Sequence, residues 1–245
     1  MNDEAPKRVG AQSGPTGYDP TLPTRPPGTH APRPKDAATL IIWRAAGESI
    51  EVLMGERHHG TRFMPNRYVF PGGRVDRSDA RVRAGTPLKA EVADRLTRAA
   101  TPSRARALAA AAIRETFEET GLVIGAPDPS PGKPAPKGWE KFFATGFAPA
   151  FDRLDYVGRA VTPPLRPQRF HARFFTVEAS HVSGEIAGSG ELNKILWVPI
   201  AETAKLQLPQ ITAKVLGQVA ARRGAPVSTS FVFIHTPNGH VMREE

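Results

Sequence analysis

The sequence predicts an α/β/α sandwich, in which a mixed β-sheet lies between two layers of helices. Three observations support this fold class. Short apolar segments bounded by turn residues have the length of strands, longer segments have the spacing of helices, and both kinds recur along the chain. With 245 residues, the chain is long enough for one large domain with additions.

The first two strands are predicted at residues 39–43 and 50–54. They flank the turn residues Gly47 and Glu48, and this arrangement is typical of a β-hairpin. Further strands are predicted at residues 68–70, 122–124, 153–161, 173–177, 194–198 and 230–234.

Helices are predicted at residues 88–99, 139–144 and 211–222, and a further one opens at Pro199. The longest predicted helix begins with Ser103 as its N-cap and runs through an alanine-rich stretch as far as residue 120. Its alanines indicate close packing against a sheet. Gly121 then ends this helix, because glycine readily adopts the left-handed conformation of a C-terminal cap.

Residues 1–36 differ from the rest of the chain. They are rich in Pro, Gly and Thr and contain almost no aliphatic residues. Such a segment cannot bury enough apolar surface to offset its chain entropy. We therefore predict a disordered or extended tail at 1–36 and a single domain at 37–245.

The composition excludes several classes of protein. The chain has no cysteine, which rules out thiol catalysis, disulfides and cysteine-based zinc sites. No apolar run approaches about 20 residues, so no membrane span is expected. The first residues lack a signal-peptide pattern and the last ones are not a peroxisomal signal, so we expect a cytoplasmic protein.

The formal net charge of +9 favours a polyanionic substrate, which a basic surface would steer inward. The basic residues are dispersed and do not alternate with aromatic ones. No specific nucleic-acid partner is therefore expected.

Three glutamates at the end of the longest predicted helix are the most informative feature of the chain. Glu115, Glu118 and Glu119 occupy positions i, i+3 and i+4, so they lie on one side of the helix. A solvated face is the ordinary explanation of such a run. Here the upstream Pro71-Gly72-Gly73 turn follows a short strand and favours a second explanation. Like charges this close repel, and a hard divalent cation such as Mg2+ or Mn2+ would compensate them with carboxylate ligands.

These residues resemble the Nudix hydrolases, whose signature is G-x5-E-x7-R-E-U-x-E-E-x-G-U with U aliphatic. Residues 114–122 match its second half, with Thr116 at the first U position. Gly73 matches the first glycine, and Asp79 stands where the family usually has Glu. The segment between Gly73 and Arg114 is about 27 residues longer than in the motif, which predicts an insertion at about 80–107. A lid, a cap or a dimer contact are alternative roles for this insertion.

The insertion identifies a branch of the family that resembles the peroxisomal coenzyme A diphosphatases. The resemblance extends to residues 56–57, 62–65, 69–73, 162–164 and 169–175. It implies the Nudix-type sandwich, a Mg2+ or Mn2+ cofactor and hydrolysis of a diphosphate linkage, with coenzyme A or acyl-coenzyme A as the leading substrate. A homodimer is also implied. The alternatives are an NADH, ADP-ribose or nucleotide-sugar pyrophosphatase, an RNA-cap hydrolase and an inactive Nudix-fold sensor.

The resemblance also implies roles for individual residues. Glu115, Glu118 and Glu119, with the carbonyl of Gly73, would hold the metal ion, and Arg114 would pair with the shorter Asp79 and orient the glutamates. The general base would be one of these glutamates or a later one: Glu178, Glu185 or Glu191.

Phosphate contacts are expected from Gly72 and from Arg57, Arg62, Arg67, Arg169 and Arg173, because arginine binds phosphate through two hydrogen bonds. His58, His59 and His171 are expected to be surface or hydrogen-bonded residues.

Overall fold

A computed structural model of the chain describes residues 23–58, 60, 66–188, 190–222, 229–236 and 239–245. Its main sheet has nine strands in the order β11-β10-β7-β8-β1-β2-β3, with β4 paired to β1 and β9 paired to β2. The strands are β1 (Lys35–Ala46), β2 (Ser49–Arg57), β3 (Tyr68–Val69), β4 (Gly72–Arg74), β7 (Asp155–Val161), β8 (Phe170–Glu178), β9 (Leu192–Pro199), β10 (Phe231–Thr236) and β11 (Gly239–Glu244). A separate two-stranded sheet contains β5 (Gly125–Pro127) and β6 (Phe147–Pro149).

The main sheet is mixed, as predicted. β1 runs parallel to β8 and β10 runs parallel to β7, whereas the other neighbours are antiparallel. The predicted first hairpin is confirmed, because β1 and β2 pair from Trp43↔Val52 to Ala46↔Ser49.

The α-helices are α1 (Ala90–Thr97), α2 (Pro102–Thr120), α3 (Glu140–Phe143) and α4 (Gln210–Arg222). Short 3-10 helices cover Asp79–Arg81, Phe151–Arg153, Ala179–His181 and Ile200–Lys205. The last of these replaces the helix predicted to open at Pro199. None of the helices in the described part of the chain is both long and apolar enough to cross a membrane.

The ends of α2 test two predictions. Ser103 is not the N-cap: Thr101 takes that role, and its side chain accepts a hydrogen bond from the Arg104 N–H at 3.2 Å. Pro102 follows it, in the first helical turn, where its missing N–H costs nothing. At the other end the prediction is confirmed, because Gly121 has φ 78° and donates its N–H to the Phe117 carbonyl at 2.8 Å.

Two apolar clusters form the interior, one on each face of the sheet, which gives the three layers of the sandwich. The first cluster joins the sheet to α1, α2 and α3, and residues 108–113 of α2 are fully buried in it. The second cluster joins the opposite face to α4. The alanine-rich stretch therefore packs against the sheet, as predicted.

Two strand predictions differ from the structure. Residues 122–124 make no strand; Val123 forms a single bridge with Ser183, and the next strand begins at Gly125. The last predicted strand is followed by β11, which the sequence did not indicate. The residues of β11 do not alternate between apolar and polar, and among the described strands β11 pairs with β10 at the edge of the sheet.

The predicted tail and insertion both contact the rest of the domain. Residues 1–22 lie outside the described residues. Residues 23–34 form no helix or strand, but the Arg25 N–H donates to the Leu165 carbonyl at 2.7 Å. This part of the predicted tail is therefore packed on the domain, while the boundary at residue 37 stays a prediction. The insertion at 80–107 contains α1, whose Val92 and Leu96 are buried in the first core cluster.

Candidate active site

The sheet and α2 together bring the glutamates to the Pro-Gly-Gly turn. β4 pairs with β1 in the register Ala38↔Gly73 and Thr39↔Gly72. Since α2 packs on both β1 and β4, its last turns lie beside the two glycines. The glutamates and the glycine turn, which are more than 40 residues apart in sequence, thus form one site.

Two of the three glutamates contact this turn directly. The Gly72 N–H donates to Glu119 Oε2 at 2.9 Å, and Glu119 is 2% exposed. The Glu115 carboxylate lies so close to Gly73 that a Cβ at position 73 would be 2.4 Å from it. A larger residue at position 73 would displace the Glu115 carboxylate, so glycine here permits the close approach of Glu115 to the turn.

Arg114 forms the ion pair with Asp79 that the family resemblance implied. Its Nε and Nη2 donate to the two Asp79 carboxylate oxygens at 2.9 and 3.1 Å. Asp79 also accepts hydrogen bonds from the Trp139 indole N–H at 3.1 Å and the Asp76 backbone N–H at 2.7 Å. The shorter carboxylate is therefore fully buried and fully partnered, despite the insertion that follows it.

The remaining Arg114 nitrogens orient the glutamates. Nη1 lies 2.9 Å from Glu115 Oε1 and 2.9 Å from Glu118 Oε2, and Nη2 donates to the Arg74 carbonyl at 2.9 Å. One buried guanidinium thus connects the α2 carboxylates to β4 and to Asp79. The side chain of Glu118 is 43% exposed and is the least constrained of the three.

The carboxylates in this site are harder to ionise than usual. Burial raises the pKa of Glu119 to about 8, against the hydrogen bond from Gly72, and the charge of Glu115 raises it further. Burial also raises the pKa of Glu115 to about 7, although Arg114 opposes this shift. The pKa of Glu118 is raised in the same way. Burial opposes the charge of Arg114, but its bonds to Asp79 and the nearby carboxylates raise its pKa above the usual value.

The donor atoms of this site fit a hard divalent cation. They are carboxylate oxygens, which Mg2+ and Mn2+ prefer, and a bound cation would favour the ionised form of Glu115 and Glu119, whose pKa values are raised mainly by burial. In the described residues, no group of three His, Cys, Asp or Glu side chains is already gathered for a metal ion. Binding by all three glutamates would therefore require a rearrangement of their side chains.

A cavity of about 930 Å³ opens beside these carboxylates. Glu115, Glu191, Gly72 and Gly73 line one end of it, and most of the remaining wall is apolar. Of the three later glutamates proposed as a general base, Glu191 alone is among these lining residues. Its charge also raises the pKa of Glu115 and Glu119, which indicates that it faces them.

The predicted phosphate contacts divide into two groups. Arg57 lines the cavity, and its charge lowers the pKa of Glu119. Arg173 is 2% exposed and binds Asp36 at 2.6 Å and the Ala99 carbonyl at 3.1 Å, so the prediction for Arg173 is wrong. Arg169 donates to the carbonyls of Thr162 and Pro32 at 2.9 and 3.0 Å, so it anchors backbone and does not face the carboxylates.

Other predicted residues have ordinary surroundings or lie elsewhere. Arg67 donates to the Leu208 carbonyl at 3.4 Å. His171 is half-buried, and burial lowers its pKa to about 4. The His58 ring accepts a hydrogen bond from the Gly60 N–H at 3.1 Å. Arg62 and His59 lie outside the described residues.

The sequence did not indicate Arg74 and Arg166 as parts of the site. Both line the cavity. Arg74 follows the Gly-Gly pair directly, so its position in the motif was a usable signal. Arg166 lies in a proline-rich loop, where nothing in the sequence distinguishes it from a surface arginine.

Comparison with known proteins identifies the fold. No family model and no curated protein sequence matches the chain. The chain is similar to a Nudix hydrolase from Alicyclobacillus acidocaldarius, with 29% identity, a TM-score of 0.61, and coverage of 77% of this chain and 92% of that one.

Two further structures are similar at lower scores. One is the Nudix domain of Shewanella oneidensis NrtR, solved with ADP ribose, with 12% identity, a TM-score of 0.45, and coverage of 78% and 90%. The other is the MutT protein of Bacillus halodurans, with 13% identity, a TM-score of 0.47, and coverage of 85% and 97%. Of the three, the first alone exceeds a TM-score of 0.5. It supports the Nudix superfamily, and the α/β/α sandwich of this chain is the Nudix fold.

Proposed function

We propose that the chain is a Nudix hydrolase that cleaves a diphosphate linkage in a nucleotide derivative with the help of Mg2+ or Mn2+. The similarity to a Nudix hydrolase at 29% identity supports a hydrolase that acts on such linkages. The observation that carries the proposal is the contact of Glu115 and Glu119 with Gly73 and Gly72 at one end of a large cavity.

In this proposal the metal ion is held by Glu115, Glu118 and Glu119 and by the Gly73 carbonyl. A bound divalent ion would supply charge neutralisation at the diphosphate and a lower pKa for water. Arg114 keeps the glutamate side chains in place through its bonds to Glu115, Glu118 and Asp79. Arg114 is thus a positioning residue, because its nitrogens are directed at protein oxygens.

We assign the general base to Glu191. It lines the same cavity as Glu115, and it is exposed, so its carboxylate can reach a water molecule. Glu178 and Glu185 are also exposed, but neither is among the residues that line the cavity. Arg57 and Arg74 line the same cavity and provide positive charge for phosphate oxygens, with Gly72 beside them.

Coenzyme A or acyl-coenzyme A is the substrate class that we propose. A basic chain favours the phosphates of such a substrate, and the mainly apolar cavity beyond the carboxylates accommodates an uncharged organic group. NADH and ADP-ribose carry the same diphosphate linkage and are the alternative.

The test is to incubate the purified protein, with Mg2+ or Mn2+, with coenzyme A, acyl-coenzyme A, NADH, ADP-ribose, nucleotide sugars or capped RNA. The products are identified by mass. Release of 3′,5′-ADP and a phosphopantetheine species would support coenzyme A species. AMP from NADH or ADP-ribose, with coenzyme A intact, would keep the reaction and overturn the substrate class. If metal is shown to be bound and none of these compounds is cleaved, the proposed reaction is contradicted.

A further inference from the structure

The cavity continues well beyond the carboxylates into an apolar region. Its inner wall comes from the sheet and α4, through Ala160, Phe174, Phe233 and Ile211. A group seated against these side chains finds no hydrogen-bond partner there. It must therefore be largely apolar itself, because a buried polar group without a partner is destabilising.

The outer wall of this region is a loop and a part of the N-terminal segment. The loop comprises residues 162–169 between β7 and β8, and Thr162, Pro163 and Gln168 of this loop line the cavity. Pro23 lines the cavity beside them. A segment that precedes the first strand thus contributes directly to the candidate substrate site.

Hydrogen bonds attach the N-terminal strap, defined as residues 23–34, to this loop. The Arg25 backbone N–H and Nε donate to the carbonyls of Leu165 and Pro164 at 2.7 and 3.3 Å. In the other direction, Arg166 donates to the Pro23 carbonyl at 3.2 Å and Arg169 donates to the Pro32 carbonyl at 3.0 Å. The strap is therefore attached to the loop near both of its ends, at Pro23 and Arg25 and at Pro32.

These bonds hold the part of the loop that the sheet does not hold. The base of the loop is closed by the Thr162 N–H, which donates to the Phe170 carbonyl at 2.9 Å. Beyond this bond, the carbonyls of residues 164 and 165 are directed at Arg25 of the strap. Loss of the strap would consequently free the outer wall of the cavity while β7 and β8 stay paired.

We propose that the N-terminal strap is a specificity element that fixes the 162–169 loop against an acyl chain carried by the substrate beyond its diphosphate. This inference rests on the proposed function, since it assumes that the diphosphate binds at the glutamates. It assigns residues 23–34 to the substrate site, separate from the residues that carry out hydrolysis.

The experiment compares kcat/KM for the hydrolysis of octanoyl-coenzyme A and of coenzyme A in Mg2+, because the diphosphate is proposed to bind with the metal ion at the glutamates. The wild-type chain should favour octanoyl-coenzyme A by at least about tenfold in kcat/KM, because each buried methylene contributes to affinity. Deletion of residues 1–34 should reduce this preference to about twofold, and Arg25→Ala should reduce it partly. Arg33→Ala, an exposed residue of the same strap, is the matched control and should keep the preference.

The possible outcomes separate the role of the strap from the proposed substrate class. An equal preference in the deletion variant, in Arg25→Ala and in the wild-type chain would overturn the proposal, and so would a wild-type chain that does not distinguish the two ligands. Thermal unfolding shows whether the deletion variant is folded. If the deletion variant is unfolded, the result for Arg25→Ala tests the proposal. Failure of the wild-type chain to hydrolyse any coenzyme A species would overturn the proposed substrate class and the strap proposal with it, whereas an unchanged ratio of the two kcat/KM values in the variants would overturn the strap proposal alone.

Discussion

Two ionic clusters in this molecule have opposite formal charge balance. Around Arg114, the carboxylates of Asp79, Glu115 and Glu118 all contact one guanidinium at 2.9 Å. Around Asp36, the guanidinium groups of Arg104 and Arg173 contact one carboxylate at 2.7 and 2.6 Å. The first cluster has surplus negative charge and the second has surplus positive charge.

The two clusters differ in the groups that surround their surplus charge. In the Asp36 cluster, backbone carbonyls complete the pairing, because Arg173 also donates to the carbonyls of His171 and Ala99 at 2.9 and 3.1 Å. In the Arg114 cluster, the glutamates border a cavity, and their pKa values are raised. The Asp36 cluster, whose arginine donors are satisfied by protein oxygens, has a structural role. The Arg114 cluster has more carboxylates than guanidinium groups and borders a cavity, so it is suited to bind a cation.

The largest expected effect comes from Glu119→Gln. This change keeps the size of the side chain, so the fold should persist, but it removes a carboxylate from the proposed metal site. We expect diphosphate hydrolysis to fall by at least about 10³-fold, because both metal charge and water activation would be impaired. Turnover is measured at matched metal concentration, with circular dichroism as the check on folding. Retained turnover in a folded variant would contradict the site assignment.

Arg173→Leu tests the structural cluster. Removal of one partner of a buried ion pair leaves the other charge buried without compensation, and this typically costs about 3–5 kcal/mol of unfolding free energy. Asp36 keeps Arg104, so we expect a loss at the lower end of that range. Urea unfolding measures it. Turnover per folded molecule should remain close to wild type, and a large loss of turnover at unchanged stability would return Arg173 to the substrate site.

Glu191→Gln tests the choice of general base. A positioned base contributes about 10²–10⁴-fold to a hydrolytic rate, and an exposed one lies at the lower end of this range. We therefore expect kcat to fall by about 10²-fold, with little change in metal affinity. Glu178→Gln and Glu185→Gln are the matched controls, since both glutamates are exposed and lie outside the cavity wall. A similar loss of kcat in all three variants would leave Glu191 without a special role.

The spacing of residues within one helix was sufficient to predict how the glutamates are grouped, whereas the Arg114–Asp79 pair depends on packing between distant segments. The i, i+3, i+4 spacing of the glutamates and the left-handed cap at Gly121 are properties of a single helix, so the sequence was sufficient for them. The Arg114–Asp79 pair joins residues 35 positions apart, and it exists because the 3-10 helix that contains Asp79 packs on α2. No property of either residue alone specifies that packing.

The arginines show the same limit. Arg57 and Arg173 were predicted as phosphate contacts for the same chemical reason, but one lines the cavity and the other binds Asp36 inside the protein. The side chain of residue 173 is directed away from the cavity because it alternates with Ala172 and Phe174, which line the cavity on the opposite face of β8. This alternation was visible in the sequence, but the face that borders the cavity was not.

The last prediction is a pH dependence of stability that originates in the buried glutamates of the site. The pKa values of Glu115 and Glu119 are raised from 4.5 to about 7 and about 8 in the folded chain. Between pH 4.5 and 8 the folded chain therefore binds more protons than the unfolded chain, so the unfolding free energy decreases as the pH rises through this window. The direction is opposite to that of an ordinary ion-paired carboxylate.

Thermal unfolding without divalent metal, from pH 5 to pH 8.5, measures this contribution as the difference between the wild-type chain and Glu119→Gln. The wild-type chain should lose stability relative to the variant as the pH rises, because the amide side chain of the variant has no proton to release in this range. Addition of Mg2+ or Mn2+ should reverse the loss, and more strongly at higher pH, since metal binding requires deprotonated carboxylates. Parallel curves for the two proteins would show that Glu119 ionises with an ordinary pKa, which would contradict the effect of its burial beside Gly72.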